Sequence, residues 1–411
     1  MGGIVGVMAF GQGRERWRVS SFIRYGLLGI QHRGYYGARV ATWDGSGMYS
    51  GSANEVDGLP EGMQGHAGVG AVLSGPDSWF GIRGVALAGD GVPEGGWEAL
   101  AEALEAAMSS TDPASAVASV VGRIGGRYSF VALSRGGLMV AARDPRGSLP
   151  LEVGAMGFDM GAVASESAAL EVMGFEHVGP LRPGEILVMG PLEVERRIAA
   201  GAGADPAACS FEYVYNARHD SVLDGIPVYS VRERIGEILA EEAPADADVV
   251  IGVPETSLPV AAGYSKRSGI PLALGFVSSI GRVRTAGLQT ALERIVGVQL
   301  KLNVIGSSVE GKDVVLVDDS VVRGTTLRNV VWNMRRKGAR RIHVRIGSPP
   351  LVGGCPLGRI PPRDELISSD LPEDDIAAVI GADSVRFLSI EGLRRALGQG
   401  GLCTICWRGG A

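Results

Sequence analysis

The stretch DVVLVDDSVVRGTT, residues 313–326, restricts the fold of this chain more than any other segment. An apolar run, Val314 to Val317, ends in two adjacent carboxylates, Asp318 and Asp319, and then in a loop carrying Ser320, Arg323, Gly324, Thr325 and Thr326. Beyond the loop, Leu327, Val330, Val331 and Met334 fall at i, i+3, i+4 and i+7, the apolar stripe of an amphipathic helix. The stripe stops at Arg335-Arg336-Lys337 and Gly338, cations and then glycine, as a helix C-terminus prefers. Another strand pattern follows over 341–346. This is a β-loop-α-β unit, so the loop lies at the carboxyl end of a parallel strand, where open α/β sheets bind ligands. A helix cap alone would need only one Asp, Ser or Thr. Loop amides and a helix N-terminus together make an anion site, to which Thr325 and Thr326 add hydroxyl donors. Two carboxylates beside such a site suit a sugar phosphate: they accept from ribose hydroxyls while the loop holds the 5′-phosphate.

The remainder of the chain sets the context. Its 411 residues suggest two or three domains. A net charge of −6 leaves no electrostatic footprint for nucleic acid. No apolar run approaches the roughly 20 residues of a membrane span. The opening MGGIVGVMAFGQGRER puts its positive charge after the apolar part, the reverse of a signal peptide, so a soluble cytoplasmic protein is expected. Residues 1–205 alternate short apolar runs with glycine turns (IVGVMAF, YSFVALS, LMVAARD) around one clear helix near 97–108, the pattern of hairpin-rich β structure. The Ala/Gly/Pro stretch at 198–208 reads as a linker. Residues 206–395 alternate strands with helical patterns, which implies a parallel sheet, and residues 396–411 form a tail holding Cys403-Thr404-Ile405-Cys406. The segment GSSVEGK at 306–312 imitates a phosphate-binding loop, but Asp313 and a strand follow it where a Ser or Thr and a helix are required, so it reads as a turn. The five histidines show no metal-ligand spacing.

VVLVDDSVVRGTT resembles the phosphoribosyl-pyrophosphate (PRPP) motif of type I phosphoribosyltransferases, and more narrowly that of the glutamine amidophosphoribosyltransferase family. The similarity extends through QHRG at 31–34, RDPRG at 143–147, VASES at 163–167, RPGE at 182–185, FEYVYNAR at 211–218, VPETS at 253–257 and CTIC at 403–406. It implies an N-terminal-nucleophile (class II) glutaminase fold over 1–205, a phosphoribosyltransferase domain over 206–395, and a place in purine synthesis. It further implies PRPP binding by Asp318, Asp319, Ser320, Arg323, Gly324, Thr325, Thr326, Glu255 and Arg284. Mg²⁺ would lie near Thr256, Asp318 and Asp319. Purine nucleotides as effectors and a homo-oligomer belong to the same expectation.

Two departures from the family stand out. Its glutaminase exposes a cysteine as the first residue of the mature chain, and a thiolate with an adjacent base is what covalent amide hydrolysis requires. Here that position is Gly2. The element whose arginine binds the glutamine carboxylate reads Gly70-Ala71-Val72-Leu73-Ser74, and the oxyanion asparagine-glycine pair reads Asp90-Gly91, a carboxylate where developing negative charge needs donors. The resemblance therefore implies a glutaminase half without activity. Arg33-Gly34 and Arg143-Asp144-Pro145 survive there, and such residues in turns are usually paired and packed. In the second half, the loop that closes over PRPP opens with Ser278-Ser279-Ile280-Gly281 where typical members carry lysine and arginine, although Arg284 is retained.

Cys403 and Cys406, separated by two residues, begin a metal site. Together with Cys209 and Cys355 they fall where iron–sulfur members of the family place their ligands, which implies a [4Fe–4S] cluster, with tetrahedral zinc as the alternative. Two functions are compatible with these residues. One is PRPP-dependent phosphoribosyl transfer to free or partner-supplied ammonia without glutaminase activity. The other is a PRPP- or nucleotide-binding regulatory homologue that does not turn over.

Overall fold

In the computed structural model, which describes residues 2–75, 78–277, 302–355, 357–398 and 400–408, the chain divides into two units. The first contains residues 1–210, 216–228 and 401–403; the second contains 211–215, 229–400 and 404–411.

Alternation of apolar and small residues builds two antiparallel sheets in the first unit. Gly3–Ala9 lies near the middle of a seven-stranded sheet, between Ala67–Val72 and Met160–Ala164. Gly126–Ser134 lies inside a six-stranded sheet, between Val85–Pro93 and Met139–Arg143. The inner faces share one apolar core, in which Ile4, Met8 and Val69 meet Ala88, Val131 and Met139. The outer face of the first sheet takes the helix Val19–Gly29 through Ile23 and Leu27. That of the second takes Gly96–Met108 and Pro113–Arg123 through Leu100, Leu104 and Val117. Helix, sheet, sheet and helix thus stack in four layers.

The 198–208 stretch is not a detached linker. Its first residue ends the edge strand Val194–Ile198, and the amides of Ala199, Gly203 and Ala207 donate to the carbonyls of Gly184, Pro145 and Arg146 at 2.8–2.9 Å. Ala208–Cys209 then pairs in parallel with Leu402–Cys403. Composition identified an Ala/Gly/Pro segment suited to a linker but carried no sign of these backbone partners.

The second unit holds the expected parallel sheet, in the order Val249–Gly252, Asp313–Asp318, Arg341–Ile346, Ser384–Phe387. On one face, helices Thr325–Arg336 and Glu373–Ile380 pack on Val314, Leu316, Ile342 and Val344. Leu327, Val330, Val331 and Met334 are all buried, and the helix ends at Lys337 and Gly338, as the stripe and its basic terminus predict. Helix Leu258–Ser268 covers Gly252, and it crosses helix Val228–Glu242 where Gly236 and Gly263 face the opposing backbone. A Cβ on either glycine would stand 1.9 Å from a carbonyl oxygen, so only glycine permits the crossing. The 306–312 segment is a short helical turn leading into the strand, as its sequence implies.

Candidate active site

The strand Asp313–Asp318 is buried along its whole length, and its end delivers the two carboxylates together. Asp318 and Asp319 are only 9% and 5% exposed. The Asp319 amide donates to Asp318 Oδ1 (3.0 Å), Ser320 Oγ donates to Asp319 Oδ1 (2.8 Å), and the Thr256 hydroxyl donates to Asp319 Oδ2. Burial pushes the Asp318 carboxyl well above the usual range, and the neighbouring Asp319 charge adds to the rise. Burial also raises Asp319, against the hydroxyls of Thr256 and Ser320 and the positive charge of Arg232. Two buried like charges with this little compensation favour an added cation or a polyol donor.

The loop that follows turns through Gly324, whose φ of 72° is the left-handed conformation glycine adopts without strain. Thr325 and Thr326 open a 12-residue helix, the first N–H groups of which have no intrahelical acceptors. Arg323 pairs with Glu365, and the Val322 carbonyl accepts from the Ile367 amide at 2.9 Å. From the neighbouring strand end, Thr256 reaches the carboxylates, whereas Glu255 is exposed. The structure therefore brings Thr256, Asp318, Asp319 and Ser320 into one hydrogen-bonded group. Arg284 and the 278–281 segment lie outside the described residues.

Mg²⁺ fits these residues. It is commonly held by one or two carboxylates plus substrate phosphates and waters, and here two partly uncompensated carboxylates stand beside a helix N-terminus. Among the described residues, no three His, Cys, Asp or Glu side chains form a group able to hold a metal by themselves.

The sequence motifs missed Arg232. It is fully buried on helix Val228–Glu242, donates to the Tyr213 carbonyl (2.8 Å), and acts electrostatically on Asp319. Its signal was present: it stands in the stripe formed by Val228, Val231, Ile235 and Leu239, where a charge is out of place.

In the first unit, the Gly2 amide donates to Asp90 Oδ1 (2.8 Å), and the Gly2 carbonyl accepts from Arg33 Nε (3.1 Å). A Cβ at Gly2 would stand 2.5 Å from the Cβ of Ser78, so Ser78 fills the space a larger residue would need. Leu73 packs against the apolar core. Arg33 pairs with Glu166 at 2.7 Å, and His32 contacts the same oxygen at 2.9 Å. The other oxygen accepts from the Arg218 amide (2.8 Å) and Ser221 Oγ (2.7 Å). Burial works to raise the Glu166 carboxyl, but the His32 hydrogen bond and the Arg33 charge outweigh it and hold the group below the usual range. Arg143 is equally buried and bonds to Asp224 and to the Leu181 and Gly147 carbonyls. Both arginines are paired and packed, as their turn settings suggest.

Of the cysteines, Cys209 and Cys403 are register partners in the first unit, and Cys355 and Cys406 belong to the second. Arg127 Nη1 donates to Cys403 Sγ at 3.0 Å, and the Leu357 amide donates to Cys355 Sγ at 3.4 Å. Sulfur accepting from N–H donors is the usual setting of metal-bound thiolates, and Cys403 and Cys355 each show it.

The family model described as "Phosphoribosyl transferase domain" matches residues 221–346. An amidophosphoribosyltransferase of Methanocaldococcus jannaschii is 35% identical, with 100% of this chain and 97% of the relative covered. That of Methanothermobacter thermautotrophicus is 38% identical over 99% of this chain and 93% of its own. Among solved structures, the glutamine PRPP amidotransferase from B. subtilis complexed with ADP and GMP matches with a TM-score of 0.84 and 30% identity, covering 99% of this chain and 96% of that one. The four-layer first unit and the parallel sheet of the second are thus the glutaminase-type and phosphoribosyltransferase folds that the sequence resemblance implies. A carboxylate pair at a strand end, the phosphoribosyltransferase match around it and relatives aligned over the whole chain lead to one conclusion: this transferase belongs to the amidophosphoribosyltransferase family.

Proposed function

We propose that this chain transfers the phosphoribosyl group of PRPP to ammonia, taken free or from a partner, and does not itself hydrolyse glutamine. The observation that carries the reading is the contrast at two positions. Asp318 and Asp319 present buried, under-compensated carboxylates at a strand end, while the space beside Gly2 is filled by Ser78 and Asp90. Asp318 and Asp319 would accept from the ribose hydroxyls, and the 323–326 loop and helix N-terminus would hold the 5′-phosphate. Glu255 and Thr256 would face the pyrophosphate, and Arg284 would supply a cation. Mg²⁺ held with PRPP by Thr256, Asp318 and Asp319 would supply the positive charge that a departing pyrophosphate requires. Cys209, Cys355, Cys403 and Cys406 would serve as ligands of a [4Fe–4S] cluster, with zinc as the alternative. Purine nucleotides as effectors accord with the ADP and GMP of the solved relative. A homo-oligomer in the cytoplasm completes the proposal; among the described residues, no helix is long and apolar enough to cross a membrane.

The test is pyrophosphate release from PRPP and Mg²⁺. Release should require ammonium, rise with pH as unprotonated ammonia becomes available, and be absent when glutamine replaces ammonium. Ser278→Lys, which returns a cation to the loop, should raise the rate, since one charge-stabilising donor can be worth on the order of 10²-fold. Calorimetric PRPP binding with no pyrophosphate at any pH, and no gain from Ser278→Lys, would leave a nucleotide-sensing role instead. Ammonia release from glutamine by the unaltered protein would overturn the account of the first unit.

A further inference from the structure

The contact between Arg127 and Cys403 joins two parts of the chain that no sequence motif connects. Arg127 lies on the strand Gly126–Ser134 of the six-stranded sheet, and Cys403 lies on the two-residue strand Leu402–Cys403 near the end of the chain. Both belong to the first unit. The short strand is held there from several sides. Leu402 and Cys403 are in register with Ala208 and Cys209, the Ala208 amide donates to the Gly401 carbonyl (2.9 Å), and Ser210 Oγ donates to the Cys403 carbonyl (2.7 Å). Cys209 is itself fixed through its amide to the Ser148 carbonyl at 3.0 Å. The backbone of both cysteines is therefore positioned by the first unit, and one sulfur receives a guanidinium N–H from that unit's own sheet.

We propose that Arg127 is a positioning residue for a metal-ligating Cys403. It orients the sulfur, offsets the negative charge that accumulates when thiolates gather around a metal, and slows loss of that metal. This rests on the reading of the cysteines as ligands given above, and it assigns the first unit a role that needs no glutaminase chemistry. A partly buried guanidinium suits the task because its charge is permanent and its donors have fixed geometry. Groups that hydrogen-bond to metal ligands typically change metal affinity by about 10–100-fold, and at iron–sulfur sites they also set the reduction potential.

The experiment uses the full chain purified without oxygen, with iron and zinc measured directly. Metal release into excess EDTA is followed over time for the wild type, Arg127→Met and Arg127→Lys. Arg127→Met, which keeps length but removes charge and donors, should release metal about 10–100-fold faster. Arg127→Lys, which keeps the charge but loses the fork, should fall between the two. If the metal is iron, Arg127→Met should also shift the midpoint potential downward. Thermal unfolding of the metal-free variants separates a packing defect from a ligand effect. Should Arg127→Met fail to fold, Arg127→Lys decides, and its releasing metal at the wild-type rate overturns the proposal. Unchanged release from a folded Arg127→Met overturns it as well, while leaving the cysteines as ligands. A wild-type protein holding neither iron nor zinc removes both.

Discussion

Two buried carboxylate sites, one in each unit, show how differently a folded chain can treat the same functional group. Glu166 in the first unit is surrounded by donors: Arg33, His32, Ser221 and the Arg218 amide all address it, and its carboxyl is held in the ionised form. Asp318 in the second unit has a like charge beside it and burial around it, and its carboxyl is pushed the opposite way. The first arrangement is complete within the protein and contributes to folding. The second is incomplete and costs stability until a ligand supplies what is missing. Burial alone does not separate a structural acid from a binding acid; the difference lies in whether the protein provides the compensating charge.

The strongest challenge to this comparison is Glu166→Gln. It leaves the buried Arg33 guanidinium without its nearest carboxylate, with Asp90 remaining only at 4.0 Å, so unfolding by urea should show a loss of about 3–5 kcal/mol. Because the folded-state carboxyl is depressed, Glu166 contributes stability above its unfolded-state range, near pH 4, and loses it as pH falls toward the folded-state value. The variant should therefore have a shallower acid limb than the wild type. A variant as stable as the parent would show that the donors around Glu166 carry no weight.

Asp318→Asn with Asp319→Asn should act in the opposite sense. Calorimetry with PRPP and Mg²⁺ should show binding weakened by about 1–3 kcal/mol for each charge-assisted bond lost. Without ligand, the doubly substituted protein should melt no lower than the parent, because two poorly compensated charges have been removed. A large drop in melting temperature would place these aspartates with Glu166 as structural groups.

Gly2→Cys examines the same division from the nucleophile position. It should yield no ammonia from glutamine, since Leu73 and Asp90 remain, and overpacking against Ser78 should lower stability by about 1–3 kcal/mol. Adding Ser78→Gly should recover most of that loss. Full stability in the single variant would mean that the space beside Gly2 is open.

The smallest expected effect concerns Glu152, a second compensated acid, which His177 contacts at 2.7 Å. The hydrogen bond to Glu152 raises the His177 pKa. The contribution is therefore present in full below the unfolded-state value near 6.5 and lost as pH rises through the folded-state value. Since His177 is partly exposed, about 0.2–1 kcal/mol is expected. Melting temperatures of His177→Gln and the parent should differ more at pH 5.5 than at pH 8.

What the sequence revealed follows the reach of local signals. Helix 325–336 was legible because its stripe, its basic end and Gly338 are contiguous, and the carboxylate loop was legible because a strand and a helix bracket it. The filling of the Gly2 position was not. Ser78 reaches it through the pairing of Ser78–Ile82 with Val85–Pro93, and no pattern within a short window specifies that approach. The fate of 198–208 was hidden for the same reason, since its partners are backbone groups distant in sequence. Arg232 was visible but unread, a charge standing in an apolar stripe.

The segment 216–228 has a practical consequence for anyone wishing to study the phosphoribosyltransferase half by itself. It follows the stretch that composition offers as a cutting point, yet its residues are tied to the first unit: the Val222 amide donates to Ser167 Oγ, the Asp224 amide to Glu152, and Ser221 Oγ to Glu166. A fragment beginning at residue 206 would carry this segment into solution stripped of every one of those acceptors, with Leu223, buried in the whole chain beside the helix Ser167–Val172, newly wetted. Such a fragment should be insoluble or prone to self-association for reasons unrelated to its own sheet. Expression trials should therefore keep residues 211–215, whose Tyr213 carbonyl accepts from the buried Arg232, and replace Leu223 with a polar residue before poor yield is taken as a property of the domain.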